Sequence, residues 1–253
     1  MRHVAALAAI LVLLPSAAAA QSLAERVRAA GDGALRLSFA SRPGVCGSGS
    51  SITVIDHDDN DRDSEWEGDC ERGPVRVSFR VQGGRVTAAE TRVGGRWRDS
   101  AAGGTDLGLA PAKEAAALLL DLARGAGDEE GGDLISAATL ADSAVVWPTL
   151  LELARDRALP TETRRQAVFW LGQAAGEAAT RGLDSIVGDD RDDLEVREHA
   201  VFALSQRPGG EGVSALIRIA RTSPHPELRR KALFWLGQTE DPRALALFED
   251  LLR

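Results

Sequence analysis

Two kinds of hydrophobic spacing divide this chain. Between residues 35 and 93 apolar positions alternate with polar ones: Leu35, Leu37 and Phe39, then Ile52 and Val54, then Val75, Val77, Phe79 and Val81. A Gly83-Gly84 pair follows, and a further run extends from Val86 to Val93. Period-two alternation places the apolar side chains on one face of a strand. A Gly-Gly pair between two such runs supplies the positive φ angles of a tight hairpin turn. The pattern predicts a small antiparallel sheet of three or four strands. Ahead of it, residues 22–31 predict a short helix, with Ser22 and Glu25 at capping-box spacing and Gly31 as its stop. The glycine- and alanine-rich stretch 94–108 reads as a connection.

From about residue 109 the spacing becomes helical, in segments of 10–15 residues separated by short polar turns. One segment repeats. Arg164-Arg165-Gln166-Ala167-Val168-Phe169-Trp170-Leu171-Gly172-Gln173 recurs from Arg197 to Gln206 and again from Arg229 to Gln238, at offsets of 33 and 32 residues. A weaker copy lies at 135–142, and partner helices are predicted at 146–156, 181–187, 212–221 and 242–252, the last with Asp241 as N-cap and Pro242 at its first position. Two helices per repeat of this length predict an α-solenoid, in which each unit buries its apolar face against its neighbours.

The motif separates the candidate repeat families. The ankyrin Thr-Pro-Leu-His signature is absent, and a tetratricopeptide pattern needs tyrosine, which this chain lacks. The Arg, Ala and Leu-Gly register, with Asp241-Pro242-Arg243-Ala244-Leu245, resembles the short HEAT repeats first noted in phycobilisome-lyase-like proteins. The resemblance covers roughly residues 110–253 and is strong over the last three units. It implies a curved, partner-binding scaffold, and in some relatives a lyase subunit acting on bilin chromophores. That activity is not carried over, because no chromophore-handling residues are recognisable. The expected fold class is mainly α: a right-handed α-solenoid of about four HEAT-like helix pairs over 109–253, preceded by a small β-rich domain over 21–100.

On a helical wheel, Ala167, Trp170, Leu171 and Ala174 share a face, as do Ala200, Ala203 and Leu204, and Ala232, Trp235 and Leu236. That face is expected to be core, the tryptophans included. Phe169 with Gln173, Phe202 with Gln206 and Phe234 with Gln238 fall together on another side. They form either a ladder of apolar anchors flanked by amides, suited to a peptide or a partner's helix, or simple seals between repeats. Arg164, Arg197 and Arg229 form a further column, expected to bond acidic groups or carbonyls between units.

Composition then narrows the setting. Arg2 and His3 precede an apolar run over 4–14, Pro15 breaks it, and small residues lead to Ala20. This is the layout of a secretory signal peptide over residues 1–20, cleaved after Ala20, and its apolar run falls short of the roughly 20 residues that cross a bilayer. Without Arg2, 29 basic residues face 38 acidic ones, a net charge near −9. Such an acidic chain is a poor partner for nucleic acid or anionic lipid. The protein is expected in the periplasm or outside the cell, with no membrane insertion after cleavage. There a disulfide is the default for its two cysteines, Cys46 and Cys70.

Between those cysteines runs an acidic segment, 56–67. Its Asp56, Asp58, Asn60 and Glu67 stand at positions 1, 3, 5 and 12 of an EF-hand-like calcium loop. Asp61 occupies the position where the sharp turn calls for glycine, and strands flank the segment. Its alternatives are a solvated loop and a weak calcium site. No nucleophile elbow, zinc-binding helix motif or phosphate-binding glycine loop occurs, and no enzyme or resident cofactor is expected. Two functions remain: a scaffold or adaptor binding a protein or peptide on the solenoid's concave face, and a calcium- or small-ligand-binding module centred on 56–67.

Overall fold

The computed structural model describes residues 21–49, 51–54, 70–95, 97, 104–174 and 176–253. The described residues are largely helical, with ten α-helices among them and a small mixed sheet towards the N-terminus. Helix α1 (Leu23–Ala30) begins with the reciprocal capping box between Ser22 and Glu25 and ends at Gly31, where φ is 67°. Strand β1 (Gly33–Phe39) follows, then the short pair β2 (Val45–Ser48) and β3 (Ser51–Val54). Strands β4 (Val75–Gln82) and β5 (Arg85–Val93) form the hairpin around Gly83 and Gly84, whose φ angles are 57° and 75°. Asp32 accepts a hydrogen bond from the Gly83 N–H at 2.8 Å, tying the turn to the start of β1.

The four-stranded sheet has the order β5-β4-β1-β6, with β6 spanning Thr105–Leu109. Leu35, Leu37 and Phe39 stand opposite Phe79, Val77 and Val75, so the alternating residues of both strands meet on one buried face. Burying each such side chain contributes roughly 1.5–3 kcal/mol. Strand β6 departs from the expected all-antiparallel sheet and from the reading of 94–108 as a connection. It runs parallel to β1, making the sheet mixed. Gly104 passes so close to the Ala34 carbonyl that a Cβ would lie 2.6 Å from its oxygen, and because only Leu107 of β6 is buried, no apolar alternation marks the strand. The β2–β3 pair forms a separate two-stranded sheet, and Cys46 in β2 is disulfide-bonded to Cys70.

Helices α2 (Ala112–Ala123) and α3 (Asp128–Thr139) follow the sheet and share one continuous core with it. Their junction is also hydrogen-bonded: Arg42 N–H donates to Leu140 O at 2.8 Å and Asp142 N–H to Ala40 O at 2.9 Å. The remaining helices are α4 (Trp147–Arg155), α5 (Thr161–Gln173), α6 (Glu177–Val187), α7 (Leu194–Ser205), α8 (Val213–Thr222), α9 (Pro226–Leu236) and α10 (Pro242–Leu251). They pack as α2 with α3, α4 with α5, α6 with α7 and α8 with α9, while α3, α5, α7 and α9 touch in succession. Asp241 caps α10 by accepting from the Arg243 N–H, with Pro242 beside it. Close packing depends on small residues: a Cβ on Gly172 of α5 would stand 3.0 Å from the Ala203 Cβ of α7.

Candidate protein-binding surface

The repeated segment occupies α5, α7 and α9, so equivalent side chains recur on helices that touch. Ala167, Leu171, Ala200, Ala203, Leu204, Ala232 and Leu236 are all buried, which accounts for the Ala/Leu face of the wheel. The arginine column lies at the joints between helices. Arg164 donates through Nε to Ala154 O in the last turn of α4 at 3.0 Å, and its two terminal nitrogens reach Asp192 and Asp193. Arg197 repeats the arrangement, with Nε on Val187 O at 2.9 Å and Nη2 on Asp190 at 2.8 Å. Arg229 donates to Ser223 O at 2.7 Å. In each case a guanidinium satisfies a carbonyl at the C-terminal end of the preceding helix, a group with no partner inside that helix.

The aromatic positions lie on the other side. Phe169 meets Trp170 edge-on at 5.2 Å between ring centroids, and Phe234 meets Trp235 in the same way at 5.0 Å. Between them, Phe202 of α7 meets Trp235 of α9 in a tilted contact, with ring centroids 5.1 Å apart, and stands 5.6 Å from His199. Phe169 and Phe202 are half-buried, whereas Phe234 is 56% exposed. Gln173, Gln206 and Gln238 are exposed one turn further on. Trp170 and Trp235, expected to be core, are partly buried: each packs against the core and each also lines a surface groove.

Two grooves interrupt the strip. One, of about 670 Å³, lies between α7 and α9 and is lined by Phe202, Phe234 and Trp235 with Arg165, His199 and Lys231. Its carboxylates are matched within the fold: Glu195 pairs with Arg165 at 2.9 Å and Glu198 with Lys231 at 2.7 Å. Burial, followed by the nearby Arg165, holds the His199 imidazole below its ordinary pKa. The second groove, of about 400 Å³, lies between α3 and α5, with Phe169 and Trp170 facing Asp128, Glu129 and Asp133.

Sequence reasoning did not single out that acidic groove, nor Arg207. The Arg207 side chain is fully buried and donates to Gly172 O and Gly176 O, each at 3.0 Å, to Ala174 O, and to Thr180 Oγ1 at 2.9 Å. Glu211 pairs with it, and that bond is the main cause lowering the Glu211 carboxyl pKa. One guanidinium therefore closes the turn between α5 and α6.

The calcium candidates Asp56, Asp58, Asn60 and Glu67 lie outside the described residues, as do 1–20. Among the described residues no group of three or more His, Cys, Asp or Glu side chains is placed to hold a metal ion, and no helix is long and apolar enough to cross a membrane.

Comparison with known proteins agrees with the repeat pattern at one end. Residues 190–253 match HEAT repeats. The match takes in α7 to α10 and two of the three strong copies of the repeated segment. No curated protein matches the chain. HEAT repeats commonly mediate protein–protein interaction.

Proposed function

We propose that this protein is an exported, non-enzymatic adaptor whose HEAT-like helix pairs form a solenoid from residue 109 onward. In this reading a protein or peptide partner lies along the aromatic strip. The observation that carries it is the recurrence of one aromatic cluster on helices that touch, with Phe202 packed against Trp235 and Phe234 left largely exposed beside a groove of about 670 Å³. Aromatic anchors with polar neighbours suit the apolar face of a partner helix or the alternate side chains of an extended peptide. Export is supported by the leader-like residues 1–20 and by the disulfide, which an oxidising compartment preserves.

The test is crosslinking in the native envelope fraction followed by mass spectrometry, with tagged wild-type protein and a folded Phe169→Ala, Phe202→Ala, Phe234→Ala variant. A stoichiometric partner captured by the wild type and lost in the variant supports the adaptor. Equal capture by both would remove the strip as its docking surface, and no partner in either would end the adaptor reading.

A further inference from the structure

The aromatic strip is electrically uneven, and the unevenness specifies what its partner must carry. In the groove between α7 and α9, three cations and two carboxylates meet, and the Arg165–Glu195 and Lys231–Glu198 pairs neutralise the acids locally. Arg230 is in turn paired with Glu227. The groove between α3 and α5 lacks this compensation. Its polar wall carries Asp128, Glu129, Asp133 and Glu162, and no lysine or arginine lines it. Glu162 is engaged by Arg165 at 3.0 Å and by Gln166. Among the described residues, no ion pair reaches Asp128, Glu129, Glu130 or Asp133.

Helix electrostatics account for part of this charge. Asp128, Glu129 and Glu130 occupy the first turn of α3, where carboxylates are favoured by the exposed N–H groups. Asp133 lies beyond that turn, one helical turn after Glu129 and Glu130, where like charges repel. Burial, and then those two glutamates, push its carboxyl pKa up. Asp133 thus stands among like charges, lining the same groove as Phe169 and Trp170. An aromatic wall opposite unpaired carboxylates is chemically complementary to a long cationic side chain, whose alkyl stem packs on the rings while its head pairs with the acids.

We propose that the α3–α5 groove receives an arginine or lysine in an extended segment of the partner protein, held between Phe169 and Trp170 on one side and Glu129 and Asp133 on the other. The proposal rests on the adaptor reading of the strip and adds the partner's chemistry to it: a basic residue at the α3–α5 end, with apolar residues continuing towards α7 and α9.

A fluorescently labelled octapeptide alternating arginine and leucine is the probe, titrated against the full-length mature chain by anisotropy. An otherwise identical glutamate–leucine peptide is the comparison. The arginine peptide is expected to bind and the glutamate peptide not. A Glu129→Gln, Asp133→Asn variant should weaken binding by roughly tenfold. An Asp121→Asn, Glu249→Gln variant, with the same loss of charge at exposed positions away from the groove, should bind like wild type. Hydrogen exchange should slow on α3 and α5. Absence of arginine-peptide binding, equal weakening by both variants, or protection confined to other helices would overturn the proposal. In the crosslinking experiment, a partner lost with the three phenylalanines but retained by Glu129→Gln, Asp133→Asn would overturn the basic-segment reading and leave the adaptor standing. Loss in both variants supports both readings.

Discussion

Arg164 of α5 and Asp192 of the turn before α7 form an ion pair in which both side chains are buried, at 1% and 3% exposure. The pair ties α5 to the turn leading into α7, beside the more exposed Arg165–Glu195 pair, and Arg164 also closes the end of α4 through Ala154 O. Its position is a repeated one, so the same side chain at the same register holds successive joints.

Removing one partner of such a pair is costly because the other charge stays buried. Arg164→Met should destabilise the protein by about 3–5 kcal/mol, and Asp192→Asn by less, since the amide keeps an acceptor for the guanidinium. Arg164→Lys should not restore stability, because one ammonium cannot serve Ala154, Asp192 and Asp193 with the same geometry. Urea unfolding midpoints at neutral pH would check the order; equal stability of Arg164→Met and wild type would show the joint to be dispensable.

Glycine positions provide a sharper steric contrast. A Cβ on Gly212 would overlap the Leu204 carbonyl oxygen, backbone that cannot swing aside. Gly188 ends α6 with φ −77° and ψ −11°, values alanine adopts freely, and a Cβ there meets nothing closer than 3.6 Å. Gly212→Ala should therefore cost about 1–3 kcal/mol, whereas Gly188→Ala should be neutral or stabilise by about 0.4–1 kcal/mol. Thermal unfolding of the two variants side by side tests whether the α7–α8 approach is as close as described.

The disulfide makes a prediction about the sheet end of the molecule. Cys46 and Cys70 are separated by 24 residues, and closing such a loop restricts the unfolded chain by roughly 3 kcal/mol. Replacing both cysteines with serine should lower the unfolding midpoint by a comparable amount. Unchanged stability would mean that the unfolded chain gains no freedom when the bridge is removed.

The cap of α10 titrates at low pH. A side-chain hydrogen bond from Arg243, and next the Arg243 backbone N–H, hold the Asp241 carboxyl pKa down at about 2 against an ordinary 3.8. A depressed folded-state pKa means that the cap's contribution is complete above the unfolded value, and it is lost as pH falls from about 4 through 2. Unfolding midpoints measured from pH 5 to pH 2 should fall more gently for Asp241→Asn than for wild type over that window. Parallel slopes would show that the cap does not contribute to acid stability.

How much of this was legible in advance follows from what each feature depends on. The Gly83-Gly84 hairpin, the capping box at Ser22 and the cap at Asp241 are set by residues a few positions apart, and local patterning carries them. The arginine column was readable because repetition exposes it: Arg164, Arg197 and Arg229 hold one register, and a buried cation at a repeated joint needs acids or carbonyls. Arg207 follows that register without a repeated counterpart, as Ala174 and Thr239 stand at the equivalent positions. Its acceptors are the carbonyls of a turn on another helix, which side-chain patterns do not mark. Strand β6 buries a single residue, Leu107, so no alternation announced it. The α3–α5 groove combines acids of a weak repeat with aromatics of a strong one, and becomes visible only once α3 is placed beside α5.

Phe202 and Phe234 occupy equivalent repeat positions but differ in what covers them, and this separates packing from binding. Phe202 is half-buried between His199 and Trp235, so Phe202→Ala should cost about 2 kcal/mol of stability as well as any binding it supports. Phe234 is 56% exposed and meets Trp235 in a T-shaped contact, so Phe234→Ala should cost about 1 kcal/mol or less. If the strip is the docking surface, Phe234→Ala should nonetheless reduce partner capture strongly while its unfolding midpoint stays close to wild type. Capture that falls only in proportion to stability across the two variants would instead make both phenylalanines packing residues, and would locate the partner's contacts elsewhere on the helices.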